Sequence, residues 1–117
     1  MNNLQELFNK SYLGLAAQGF QQSLDSNSRI CRYRGPGGLK CAVGHLIPDS
    51  AYEESMESIG VWELPWAREN YSGPEITFLE ELQDIHDSSS SSEAGVMQRR
   101  LEKAAKIRRL TIPEIPK

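Results

Sequence analysis

The chain is poor in long apolar runs. Nothing in its 117 residues approaches the roughly 18 consecutive apolar residues that a membrane helix requires, so no membrane partner is expected. The opening MNNLQELFNK lacks the basic and then apolar pattern of a secretory signal, which predicts a cytoplasmic location. Cysteine is scarce. Cys31 and Cys41 are the two present, and in a reducing compartment both are expected to be free thiols. They lie ten positions apart, so the close cysteine pairs of structural zinc sites are missing. The phosphate-cradling spacing G-x-x-x-x-G-K-[ST] is missing too. Hydrophobic residues make up 38% of the chain, below the usual ~45–50%, so a good part of it must be loop or solvated face.

What is present is charge, sorted into blocks. The net charge is −3. Residues 29–45 hold Arg29, Arg32, Arg34 and Lys40 and no acid. Residues 46–95 hold twelve acids against the single base Arg68, and residues 96–117 hold seven bases against Glu102 and Glu114. Either these blocks face one another within the fold, or they are docking surfaces for a charged partner.

Residues 3–19 read as a helix. Leu4, Leu7, Phe8, Tyr12 and Leu15 recur at helical spacing, Asn3 and Glu6 suit its first turn, and Gly19 suits its end. Residues 29–34 and 39–47 read as two strands around Gly-Pro-Gly-Gly. A register with Tyr33 opposite Leu39 would set Cys31 beside Cys41. Asp49 is a cap candidate for a short helix over 50–58. Pro74, after Ser72 and Gly73, starts a helix over 74–87 with Phe78, Leu79, Leu82, Ile85 and His86 on one stripe. A serine run follows as a linker, and Ser92 is placed to cap a basic amphipathic helix over roughly 93–110. The predicted fold class is α+β: a two-stranded β-hairpin packed against three or four helices. Trp62, Trp66, Phe78 and Leu79 are expected in or near the core. The predicted division is one domain over 1–88, with the serine linker and basic helix over 89–117.

Three kinds of chemistry can be written on these residues. Cys41 with His45 or His86 as base and Asp87 or Asp49 as orienter would make a small thiol-dependent enzyme. Cys31, Cys41 and His45, with His86 as a further candidate, could ligate a metal, although only Cys41 and His45 are closely spaced. Tyr33 between Arg32 and Arg34, with Lys40 and the basic last helix, could bind nucleic acid. Against each stands a plainer alternative. Thiols are commonly small buried hydrophobes, and a histidine in an apolar stripe is commonly packed and satisfied. A basic hairpin tip is commonly just solvated. No cofactor is implied.

The segment CRYRGPGGLKCAVGHLIPDSAY, followed downstream by Leu82, Gln83, His86 and Asp87, resembles a motif in a group of small phage- and prophage-encoded proteins of uncharacterised function. It runs approximately C-x-Y-R-G-P-x-G-x-K-C-A-x-G-x-L-I-P-D-x-x-Y, then L-Q-x-x-H-D. The resemblance covers roughly residues 1–88. It implies a setting of phage–host conflict and carries over no catalytic residues. The function expected is a non-enzymatic protein-binding accessory factor, such as an inhibitor of a host enzyme or defence complex. Its partner is a host or phage protein met through Arg32, Tyr33, Arg34 and Lys40. In this reading the tip from Arg32 to Gly38 is the binding surface and Cys41 to Ile47 is core.

Overall fold

Among the described residues, four α-helices and three short 3₁₀ turns form. The structure is a computed structural model describing residues 3–25, 27, 30–91, 93 and 95–116. Helix α1 spans Asn3–Ala17 and buries Leu7, Phe8, Ser11, Tyr12 and Leu15. It stops two residues before the expected end, where the Phe20 N–H turns back to the Leu15 carbonyl at 2.8 Å and Gly19 takes a left-handed φ of 67°. Helix α2, Pro65–Asn70, is short. Helix α3 spans Gly73–Ser88. Ser72 and Glu75 form a reciprocal capping box at its start, 2.8 and 3.4 Å. Helix α4 spans Val96–Ile107 and buries Met97, Leu101, Ala104 and Ala105.

Helices α1, α3 and α4 pack mutually around one core, with Phe8, Tyr12, Leu15, Phe78, Leu79, Leu82 and Leu101 almost wholly buried. Each such side chain stabilises the fold by roughly 1.5–3 kcal/mol relative to exposure. Polar contacts fix the helix pairs. The Tyr12 hydroxyl donates to Glu102 at 2.5 Å, tying α1 to α4. Arg108 lies over the Phe78 ring at 4.6 Å and pairs with Glu81, tying α4 to α3. Gln5 and Thr111 exchange hydrogen bonds of 2.8 and 2.9 Å, anchoring the segment after α4 to α1.

The α+β expectation is overturned. Among the described residues there is no strand and no hairpin, only two isolated antiparallel bridges, Leu24 with Cys31 and Arg34 with Lys40. Gly-Pro-Gly-Gly does reverse the chain, with Gly37 and Gly38 at φ 68° and 81°. Pairing stops there because residues 41–44, 46 and 47 are all buried. A strand alternates its faces and cannot bury a continuous run on one side. The segment coils instead, with His45 N–H to the Cys41 carbonyl (3.2 Å) and Leu46 N–H to the Val43 carbonyl (2.9 Å). The register is also corrected: Cys31 sits against Leu24, not opposite Cys41.

The helix expected over 50–58 is only a 3₁₀ turn, Glu54–Met56. Its cap candidate Asp49 instead pairs with Arg34 at 2.7 Å. Trp62, expected near the core, is 39% exposed, whereas Trp66 is half-buried against Tyr71. Arg29 and the capping position Ser92 lie outside the described residues. Among the described residues no helix is long and apolar enough to cross a membrane.

Candidate functional site

Gln83, His86 and Asp87 project from the last turns of α3 and meet Cys31 from the coil. Backbone donors set the direction of every bond in this group. The Val43 N–H donates to Gln83 Oε1 at 3.1 Å, so the amide Nε2 faces Asp87 and donates to it at 2.8 Å. The Ser23 N–H donates to His86 Nε2 at 3.0 Å. With Nε2 accepting, the ring proton lies on Nδ1, which donates to Asp87 Oδ1 at 2.8 Å. His86 is wholly buried with both nitrogens engaged. The Cys31 thiol lies within 4.8 Å of Asp87 and His86. Burial, then the Asp87 charge and hydrogen bond, push that thiol up to about 12.

This geometry decides what the group can do. His86 has no free nitrogen, since Nε2 accepts the Ser23 N–H and Nδ1 faces Asp87. Cys31 is held protonated beside a carboxylate, the reverse of the electropositive setting that activates a thiol. Cys31, His86 and Asp87 do bring three potential metal-ligand atoms within 4.8 Å of one another. The donor set fits a metal poorly, because a ligating histidine normally donates its other ring N–H. Here that other nitrogen accepts one, and a metal on Nδ1 would require a ring with no proton at all.

The sequence candidates are distributed differently from either chemical reading. Cys41 is wholly buried, its Sγ accepts from the Gly44 N–H at 3.3 Å, and burial pushes its thiol up. His45 points away, to Gln18 Oε1 at 3.0 Å. That oxygen also accepts the Lys40 N–H at 3.1 Å, so His45 is the donor. Burial and then Lys40 hold His45 down to about 4. The set Cys31, Cys41 and His45 is not gathered into one cluster. His86 and Asp87 are gathered with Cys31 rather than with Cys41.

The basic segment turns inward. Arg32 pairs with Glu54 at 2.6 Å and lies 3.8 Å from both Asp25 and Glu57. Arg34 pairs with Asp49, donates to the Ile47 carbonyl at 3.1 Å and stacks 4.5 Å over Tyr52. Glu57 accepts the Tyr33 and Arg34 N–H groups at 2.9 and 3.2 Å and the Tyr52 hydroxyl at 2.5 Å. Tyr33 is buried and its hydroxyl donates to the Ile59 carbonyl. Lys40 is half-buried. The basic block thus faces the acidic block within the fold, and this closes the 47–59 loop over residues 30–34.

Beside this closure lies a cleft of about 350 Å³. Its walls are Ile30, Cys31 and Tyr33, residues 58–61, and α3 at Glu80, Asp84 and Asp87. Ile30 and Ile59, 56% and 36% exposed, form its apolar lips. Glu80 and Asp84 have no ion-pair partner among the described residues, and no base lines the cleft. The acids Glu80, Asp84 and Asp87 stand at i, i+4 and i+7, a spacing readable in sequence. Their opposite wall comes from an aperiodic stretch and was not. Comparison of the chain with protein-family models, with curated proteins and with solved structures found no match.

Proposed function

We propose that this protein is a small non-enzymatic binding factor, of the phage or prophage kind that its sequence resembles, which docks a host protein through the cleft beside Cys31. The observation that carries the reading is the pairing of apolar lips with unpaired carboxylates. Ile30 and Ile59 offer apolar surface, and Glu80 and Asp84 offer charge without a countercharge. The segment that fits is one presenting Lys or Arg next to an apolar residue, with the apolar contact giving affinity and the charges giving orientation. The binding surface is thereby moved from Arg32, Tyr33 and Arg34, which hold the fold, to the cleft they help to build. A thiol reaction is not favoured, because Cys31 is held protonated and His86 has no free nitrogen.

Affinity capture from host lysate tests this with wild type, Asp84→Lys, Ile59→Ser and the α1 surface variant Lys10→Glu. The expected result is one host protein retained by wild type and Lys10→Glu and lost from both cleft variants, with near-ultraviolet circular dichroism unchanged. Equal retention by all four would sink the cleft as the site. Inhibition of a host enzyme is then read directly, by titrating the factor into the activity of the retained protein.

A further inference from the structure

We infer that the groove between α3 and α4 is a second docking surface, and that its occupant is an acidic peptide segment with an apolar residue at its centre. The groove has a volume of about 300 Å³. Its floor is Ile85 and Ala104, its end is Ile107, and Arg100 and Lys103 stand along its rim. Ile107 is 67% exposed, the most exposed large apolar side chain among the described residues. Arg100, Lys103 and Ile107 stand at i, i+3 and i+7, so they share one face of α4.

Charge complementarity names the occupant. Arg99, Arg100, Lys103, Lys106 and Arg109 have no acid within ion-pair distance among the described residues, whereas Arg108 is matched by Glu81. The one acid lining the groove is therefore already countered, and the rim cations are not. Arg100 is also held in place: its Nη1 donates to the Ser88 and Ser89 hydroxyls at 2.8 Å each, at the end of α3. A guanidinium fixed in this way loses less conformational freedom when it meets a carboxylate. The apolar floor favours a peptide over a nucleic acid, because a phosphate backbone has nothing to place there. This surface differs from the cleft in its walls and is opposite in sign, so it stands or falls independently of the cleft reading.

The test uses a labelled peptide of Asp and Glu around a central Leu, read by fluorescence anisotropy at low salt and at about 0.15 M, where the Debye length is about 8 Å. Companion probes replace Leu with Ser, or every acid with Lys, or are a short DNA duplex. Proteins are wild type, Lys103→Glu and Ile107→Ser, both at exposed positions, with unchanged melting temperatures as the folding control. The expected result is binding of the Leu peptide, weakened about tenfold by Lys103→Glu and severalfold by Ile107→Ser or by loss of the Leu. The Lys peptide should not bind. Three results would overturn the inference. One is no binding of the Leu peptide at low salt. Another is tighter binding of DNA that Ile107→Ser leaves unchanged, which would make the face a nucleic-acid surface. The last is self-association in sedimentation that Lys103→Glu abolishes, which would make the occupant a second copy.

Discussion

Replacing His86 with Leu separates a structural histidine from a chemical one. The side chains are of similar size, so the cavity contribution is small. What is lost is specific. The Ser23 N–H sits in a wholly buried residue and would be left without an acceptor. An unsatisfied buried donor costs about 1–3 kcal/mol. Asp87 would lose its Nδ1–H donor, but its side chain is 41% exposed and keeps Gln83. That loss is worth about 0.5–1 kcal/mol after allowance for water. The net expectation is a destabilisation of about 2–3 kcal/mol, a large share of the ~5–15 kcal/mol typical of a domain. With a urea m-value of about 1–3 kcal/mol/M, the unfolding midpoint should fall by about 0.7–3 M. Partner capture at a temperature where the variant is folded should persist. A midpoint shift below about 0.3 M, coupled with loss of function, would refute the reasoning and make His86 a working group.

Three further outcomes follow from the same geometry. Gly44→Ala should destabilise by about 2 kcal/mol or more in the same urea assay, because a Cβ there collides with the Tyr33 carbonyl oxygen, which is backbone and cannot swing aside; an unchanged midpoint would show that the 41–47 coil can shift. Cys31 should react with iodoacetamide at pH 8 on the order of 10³-fold more slowly than a free thiol, since its thiol is pushed up to about 12, and Asp87→Asn should speed it; a free-thiol rate would deny the Asp87 contact. His45 is held down to about 4 against an unfolded value of 6.5, so between these pH values the unfolded chain binds more protons, and stability falls as pH drops from 6.5 to 4. Discounted for partial exposure, the loss is about 2 kcal/mol. His45→Gln should remove that part of the slope, and parallel pH profiles of wild type and variant would contradict it.

The helices were legible because their signals are local. The stripe Leu7, Phe8, Tyr12, Leu15 is what α1 buries, and the stripe around Phe78 and Leu82 is what α3 buries, His86 included. The segment 41–47 misled because Val43 and Ile47 favour strand, whereas it is held by α1 through Ser11, by α3 through Gln83 and by the coil at Tyr33. No local pattern encodes that. The 50–58 helix failed for a related reason. Its acids Asp49, Glu54 and Glu57 are taken by arginines about twenty positions earlier, and a tertiary ion pair outweighs a weak local cap. Cys31 lay close to α3 instead of Cys41 because one bridge, not a ladder, sets the register. The cleft was half visible, as an acidic stripe on one helix.

The polar residues that carry the sequence resemblance have a physical reason to exist that involves no ligand. Among the described residues, coil segments such as 41–47 lie within the core, and coil leaves backbone N–H and C=O groups without the partners a ladder or helix would supply. Buried backbone groups must nevertheless be paired. Here side chains do the pairing: Ser11 for the Ala42 carbonyl, Gln18 for Lys40, Gln83 for Val43, His86 for Ser23, and Glu57 for Tyr33 and Arg34. A set of Gln, His, Asp, Glu and Arg at fixed spacing looks like an active-site signature because both tasks require donors and acceptors at defined positions. The two differ in what the side chains face. In this molecule they face backbone and one another, so the side chains left out of the network are the ones available to a partner: Ile59, Glu80 and Asp84 at the cleft, and Lys103 and Ile107 along α4.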